Sequence, residues 1–480
     1  MSPRLARVMP LGLALLGLST ANAQAPSAEK RAVLAEVDRI SNDINGMAMQ
    51  LWNFSEIAMR EQRSSAFLAD ILAKEGFTVT RGTAGMPTAF VAEFGSGKPV
   101  IAILAEYDAL PGIGNAPVPK RLLREDSVTA GQGCGHNLFG AGSVGAAIAL
   151  KRVMQARGLK GTLRLYGTPA EETLIGKTYM ARDGVFNDLD ATLEWHPNTH
   201  TAVGNTANQA NNNFSVEFFG QPAHAAADPW NGRSALDAVE LMAHAANQMR
   251  EHIKPTARLH YVIPSGGEAP NVVPAYARIW FFVRDVDRQS VEDHYAWLLK
   301  IAEGSAMATR TTFKVTLTTG VYEYLFNRPL QEAMQKNLDL VGAPKWGEAE
   351  QQFAREMQKV SGRAEKGMDG TVKPLAPSVQ PVEGGSTDVA DVSWINPTVG
   401  LEVATAGQDL PWHSWQAAAS HGIPGASKAA DVAAKVMAAT GVDLLTNPQL
   451  LARAREEFQK QTAGKPYQSA IPAGQKPPVP

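Results

Sequence analysis

The sequence predicts an α/β protein of two domains, with a small ferredoxin-like βαββαβ unit inserted into a larger layered sheet domain. Three observations predict it. Residues 99–106 (PVIAILAE) form a nearly unbroken apolar run, the pattern of a strand buried on both faces of a parallel sheet. Two further strand-like runs follow at 162–167 and 190–195, separated by helical stretches; strand, helix, strand, helix, strand is the order of an α/β layer with right-handed crossovers. Between 214 and 318 the order changes to βαββαβ, and roughly 110 residues suffice for a separate small domain.

In chain order, the first 23 residues are set aside from the fold. Arg4 and Arg7 precede an apolar run at 11–18, and Ala21-Asn22-Ala23 follows, the layout of a cleavable secretory signal. The run is shorter than the ~20 apolar residues that span a bilayer. Cleavage is expected after Ala23, with export to the periplasm or the medium. The sheet domain is expected over 24–206 and 323–462, the inserted domain over 207–322, and a Pro- and Gly-rich tail over 463–480 that wraps the surface or is mobile.

Within the first part, Leu34, Val37, Ile40 and Ile44 keep helical spacing, as do Phe67, Leu68, Ile71 and Leu72. β structure is expected from 76–80, and a strand at 89–94. After the 99–106 strand come a Gly- and Ala-rich helix at 138–154, the 162–167 strand, a helix at 174–182, and the 190–195 strand, which ends before His196-Pro197. The insert should hold strands at 214–219, 257–263, 275–284 and 312–318 and helices at 233–251 and 288–308. Helices at 330–341, 427–439 and 448–460 and a strand at 399–404 complete the pattern; the polar stretch 342–377 is expected to be a loop with a short helix.

Composition narrows the function. The net charge is −2 with 19% charged residues, and no basic stripe or zinc-finger spacing argues for nucleic acid. The single cysteine, Cys134, cannot form a disulfide within the chain. In an oxidising compartment an exposed thiol is a liability, which leaves core packing or metal ligation.

Cys134 lies in Gly131-Gln132-Gly133-Cys134-Gly135-His136-Asn137. Cys-x-His between glycines places a soft thiolate and an imidazole on one turn, a pair of metal ligands in need of partners. Glu171 and Glu172 follow the second strand and His196 the third. In open α/β sheets, sites form outside the carboxyl ends of the strands, so three loops deliver Cys, His, Glu, Glu and His to one rim. Singly, Glu-Glu reads as a solvated helix start and His196 as a loop histidine; together they argue a site. Of two adjacent carboxylates, one can bind a metal while the other serves as general base.

Gly-Cys-Gly-His-Asn, Pro-Ala-Glu-Glu at 169–172, Trp-His-Pro at 195–197, Gly220-x-x-x-His224-Ala-Ala, Asn271-Val-Val-Pro, Gly384-Gly-Ser-Thr-Asp388 and Trp412-His413-Ser-Trp-Gln occur in this order. Together they resemble the aminoacylase/carboxypeptidase family of dinuclear metallopeptidases, in its amidohydrolase branch, over essentially everything after the signal segment. The resemblance implies a zinc-peptidase-type sheet domain with the insert as a lid that also dimerises. It implies Cys134, His136, Glu172, His196 and His413 as metal ligands, Glu171 as general base, and Asp108 as a group that orients a ligand. Five ligands are few for two ions, so a bridging ligand and a bridging water would complete the set. His224 matches a histidine that reaches a partner's active site and polarises the scissile carbonyl. Asn271 matches a substrate-contacting asparagine, and Arg284 is a candidate for a substrate carboxylate, with a structural ion pair as its plainer reading. His244, His252, His260 and His294 read as structural or surface residues.

The sequence departs from the wider family at the first strand end, where many members carry His-x-Asp and this chain has Glu106-Tyr107-Asp108. Asn137 stands where many of the branch have Asp. The implied reaction is hydrolysis of the amide bond of an N-acylated amino acid, with an aminobenzoyl-glutamate-like substrate foremost and a broader N-acyl-amino-acid or dipeptide hydrolase as alternative. Two divalent ions in each protomer are implied, zinc first for Cys and His ligands, manganese or cobalt as alternatives. The implied assembly is a homodimer through the lid, or a pairing with a paralogous chain. Two other classes are weaker: a binding protein without catalysis, which would not need Glu171, and a serine hydrolase, for which no Gly-x-Ser-x-Gly elbow exists.

Overall fold

A computed structural model describes residues 25–382 and 384–479; the expected signal segment 1–23 lies outside them. The larger domain is built on a seven-stranded sheet. Its strands are β1 (Thr78–Arg81), β2 (Phe90–Ser96), β3 (Val100–Ala105), β4 (Gly161–Gly167), β5 (Ala191–Asn198), β6 (Ala202–Val203) and, after the insert, β11 (Thr398–Ala404). The insert contributes β7 (Ala210–Phe219), β8 (Arg258–Ser265), β9 (Tyr276–Asp285) and β10 (Thr312–Val321).

The large sheet runs β1-β2-β4-β3-β5-β11-β6. The four central strands pair in parallel, while β1, β2 and β6 are antiparallel additions at the edges. Every residue of β3 is buried, as its unbroken apolar run requires. Helices Ala28–Phe54, His136–Arg157 and Ser427–Thr446 pack together over this sheet, joined by Val37, Ile44, Val144, Ala147 and Met437 in one core. Small residues on the last two helices allow the close approach.

The inserted domain has a four-stranded antiparallel sheet in the order β10-β7-β9-β8, the ferredoxin-like arrangement. Helices Ala235–Met249 and Arg288–Thr309 cover one face. Phe214 stacks on Phe281 at 5.3 Å inside a core separate from that of the sheet domain.

Two expectations are corrected. The third strand does not stop at Trp195: β5 continues through His196 and Pro197, paired with Glu402 and Val403 of β11. On its other side β3 accompanies it only to Leu193, so Pro197, which lacks an N–H, sits where one side of the strand is open. The stretch 342–377 contains a full helix, Glu348–Val360. The helix expected at 174–182 is present as Gly176–Arg182, preceded by a short 3-10 turn, Glu171–Thr173.

The tail wraps both domains. The Tyr467 hydroxyl donates to Asp391 Oδ1 at 2.5 Å, and Gln475 Nε2 donates to Tyr179 Oη and to the Leu317 carbonyl of β10. Ile471, 3% exposed, enters a core with Tyr179, Met180 and Val389. Ile471→Ala should cost about 2 kcal/mol and open the tail to chymotrypsin at Tyr467. Thermal melting and limited proteolysis check this; unchanged protection would mean that the polar contacts alone hold the strap.

Candidate metal centre

Three strand ends and two loops meet at the site. β3 leads into Glu106, Tyr107 and Asp108. β4 leads through Ala170, whose backbone is left-handed (φ 58), into Glu171 and Glu172. The Ala170 N–H is held by Glu61 Oε1 at 2.9 Å. His196 comes from the half-buried end of β5, where its Nδ1 donates to the Pro197 carbonyl at 2.7 Å and leaves Nε2 free for a ligand.

Both glycines of the Cys134 loop sit in tight places. Gly135 has φ 76 and lies so close to β5 that a Cβ would sit 2.9 Å from Pro197 Cβ; a Cβ on Gly133 would sit 2.5 Å from Ile113 Cδ1. His136 is the first residue of the following helix. His421 anchors the loop from behind: its Nδ1 donates to the Gln132 carbonyl at 2.7 Å, and its Nε2 meets Thr405 Oγ1 at 3.0 Å. Burial depresses the His421 pKa to about 4, so it stays neutral. Asn137 Nδ2 donates to the carbonyls of Ala48 and His421, bonds that an aspartate could not donate. His413 is left-handed (φ 54) and follows Trp412, which stacks on His421 at 5.2 Å.

Asp108 ties the strand ends together. Its Oδ1 lies 3.0 Å from His136 Nδ1, and its Oδ2 accepts the Glu172 N–H at 3.0 Å. Around it, donor atoms within 4.8 Å of one another form three groups: Cys134, His136 and His196; Cys134, Glu172 and His413; Glu106, His136 and Glu171. Cys134 Sγ and His413 Nε2 are 3.2 Å apart, and His413 Nε2 and Glu172 Oε2 3.3 Å. Metal–donor distances of about 2.0–2.3 Å place two ligands of one ion at roughly such separations.

The electrostatics favour added positive charge. Glu106, Asp108, Glu171, Glu172 and Asp388 share the region with a single lysine, Lys177, which is fully buried. Burial, reinforced by Glu106, lifts the Glu171 pKa well above the ordinary carboxylate value. Burial also pushes Glu172 up to about 7 and, with Glu172 beside it, raises the Cys134 thiol. Burial opposes a charge on His136, but Glu106 and Asp108 outweigh it and raise its pKa. His136 Nε2, Glu172 Oε1 and Glu106 Oε2 are buried without a hydrogen bond, while Glu106 Oε1 is ion-paired with Lys177 Nζ at 2.8 Å. Mixed S, N and O donors, orphaned and short of positive charge, fit divalent metal ions.

The site opens into a cavity of about 550 Å³ between the sheet domain and the insert, lined by Cys134, Glu171, Glu172, His196 and His413 on one side and by Phe282 and Arg284 of β9 on the other. Arg284 Nη1 is 3.5 Å from Ser386 Oγ, its Nε has no hydrogen bond, and no carboxylate pairs with it among the described residues. Its expected structural ion pair is therefore absent there. His224 and Asn271 do not line this cavity: both are exposed on the insert, joined through the Ala225 N–H to the Asn271 carbonyl at 3.0 Å.

Sequence reasoning missed Glu106, Lys177, Glu61 and His421. A charged residue ending the all-apolar β3 was a usable signal for Glu106. Lys177 reads as an ordinary helix-surface lysine, and nothing local marks His421.

Several known proteins resemble this chain over most of its length. Residues 206–307 match the peptidase dimerisation domain. The chain is 40% identical over 454 residues to one of the p-aminobenzoyl-glutamate hydrolase subunits of Escherichia coli, covering 89% of this chain and 94% of that protein. It is 28% identical to the Xaa-Arg dipeptidase of Mus musculus, over 90% of this chain and 92% of that one. The fold matches a dinuclear metal-binding peptidase of the M20 family from Bacillus subtilis (TM-score 0.55, 18% identity, 85% of this chain and 99% of that one). It also matches the aminobenzoyl-glutamate utilization protein of Klebsiella pneumoniae (TM-score 0.56, 16% identity, 82% and 96%). With its two-domain architecture, its clustered metal donors and near-full-length identity of 40%, the chain belongs to the M20 family of metallopeptidases and amidohydrolases, enzymes that hydrolyse amide bonds.

Proposed function

We propose that this chain cleaves the amide bond of an N-acylated amino acid, with an aminobenzoyl-glutamate-like compound foremost, at a centre of two divalent ions. The observation that carries the reading is the facing of two groups across one cavity. The metal donors and Glu171 lie on one wall, and an arginine with no acidic partner among the described residues lies on the other. The 40% identical relative, named for hydrolysis of p-aminobenzoyl-glutamate, supports the substrate class.

Cys134, His136, Glu172, His196 and His413 would hold the ions, with Cys134 common to two donor groups. Bound there, the ions would supply Lewis acidity and a lowered pKa for water; zinc suits the sulfur and imidazole donors, with manganese or cobalt as alternatives. Glu171 takes the proton of the attacking water and returns it to the leaving amine, a task suited to a carboxyl whose pKa is raised. Arg284 with Ser386 receives a free carboxylate of the substrate, a charge-assisted contact, and Phe282 offers an adjacent apolar surface. His224 and Asn271 are exposed and outside the lining of their own cavity, so their contribution to the carbonyl and substrate would be made to a second copy. This fits a homodimer through the insert. Two relatives from Escherichia coli are named as different subunits of one hydrolase, which supports a paralogous partner as the alternative assembly. The segment 1–23 supports export to the periplasm.

A second reading, a dipeptidase for basic residues, has its own support. Glu194 and Glu402 line the same cavity, and one relative is an Xaa-Arg dipeptidase.

A panel of p-aminobenzoyl-glutamate, N-acetyl amino acids and Xaa-Arg dipeptides, each before and after chelation, tests the reading. Cleavage of the glutamate amide should vanish on metal removal, and Arg284→Ala should raise its KM about 10–100-fold with kcat little changed. Activity that survives complete chelation would overturn the proposal. Glu171→Gln should keep its metal and lose about 10²–10⁴-fold in kcat; full turnover in a metal-loaded variant would remove Glu171 as the base. Protons compete with metal at groups whose pKa values are raised, such as Glu172 at about 7. Metal affinity should therefore rise from about pH 6 to about pH 8 as those protons are released, which chelator competition would measure.

A further inference from the structure

We infer that Glu106 is an additional metal donor, to the ion on His136, and that the buried Lys177 holds it in place. The inference rests on the metal-centre reading and extends its donor set.

Glu106 follows β3 directly, is 1% exposed, and lines the cavity. Its Oε2 lies 3.1 Å from His136 Nε2, yet neither atom makes a hydrogen bond. Two atoms this close without hydrogen-bond alignment do not aim at each other; they share a point beside both. Donors on one ion with bond lengths of about 2.0–2.2 Å stand roughly 3 Å apart, which is this separation. The opposite face of His136 is already committed, because Nδ1 meets Asp108. Glu106 and His136 also fall in one donor group with Glu171.

Lys177 explains how a carboxylate can be kept there. Its Nζ is 2.8 Å from Glu106 Oε1 and 2.6 Å from Asp388 Oδ1, and its own N–H donates to Asp388 Oδ2 at 2.8 Å. Lys177 and Asp388 are fully buried. This ion pairing holds one oxygen of Glu106 beside the lysine by charge and leaves the other beside His136. A simple counter-charge for Lys177 would be served by Asp388 alone.

The test is metal stoichiometry. Full-length protein is loaded with zinc, dialysed and analysed by mass spectrometry, and cobalt titrations followed by absorption give the affinities. Wild type should hold two equivalents. Glu106→Gln should hold one, with the remaining ion bound as in wild type. Glu106→Asp keeps the charge but withdraws the oxygen, so it too should lose one equivalent, whereas a pure counter-charge role would leave it at two. Circular dichroism of the metal-free variants checks that the fold is intact. Two equivalents at wild-type affinity in both folded variants would overturn the inference. Failure of wild type itself to bind metal would instead overturn the metal-centre reading beneath it.

Discussion

An excess of buried carboxylate around His136 governs the rest of this structure. Isolated charges withdrawn from water are costly, and buried ones persist only where cations or hydrogen bonds answer them. Here Glu106, Asp108, Glu171, Glu172 and Asp388 meet the single ammonium of Lys177. The remaining negative charge is what makes the cluster receptive to divalent ions, and it explains why burial raises the pKa values of Glu171, Glu172 and Cys134 together. The same excess ties the chemistry to the fold: move one strand end and the donors either repel or lose their common centre.

The scaffold meets this demand with rigid support at every donor. Parallel strands bring three loops to one rim, and Asp108 links two of them through His136 and the Glu172 amide. Glu61 holds the left-handed Ala170 turn, and His421 holds the Cys134 loop. Preorganised donors cost little reorganisation when charge develops. The insert divides its work between two places. Arg284 of β9 closes the cavity of its own chain, while His224 and Asn271 sit exposed elsewhere on the same domain. The tail fastens insert to sheet domain through Tyr467, Ile471 and Gln475, so the relation between Arg284 and the metal donors depends on the last residues of the chain.

Much of the fold was legible because its signals are local. The apolar run of β3, the alternation of strands with helices and the change to βαββαβ each follow from side-chain periodicity and burial. The errors arose where periodicity is silent. Pro197 reads as the end of a strand, and only the pairing with β11 on one side and the open edge on the other let β5 continue. The polar face of helix Glu348–Val360 made the helix expected in that stretch read as shorter than it is. At the site, Cys134, His136, Glu171, Glu172 and His196 were legible because the strand pattern places each at or beyond a strand's carboxyl end. His413 was legible only through the resemblance carried by the ordered motifs, since its own surroundings look like an aromatic turn.

By itself, then, the sequence determined the two-domain α/β plan, the position of the Cys-x-His pair and the paired glutamates, because these depend on neighbours along the chain. Tertiary structure alone decided which residues share a charge. Glu106, Lys177 and Asp388 are distant in sequence yet form one buried ion cluster, and Gly135 is required by its left-handed backbone and by Pro197, against which the loop folds. Asn137 is required by two carbonyls from other segments. Electrostatic and steric demands act through space, so they become visible only once the fold has brought these groups within a few ångströms.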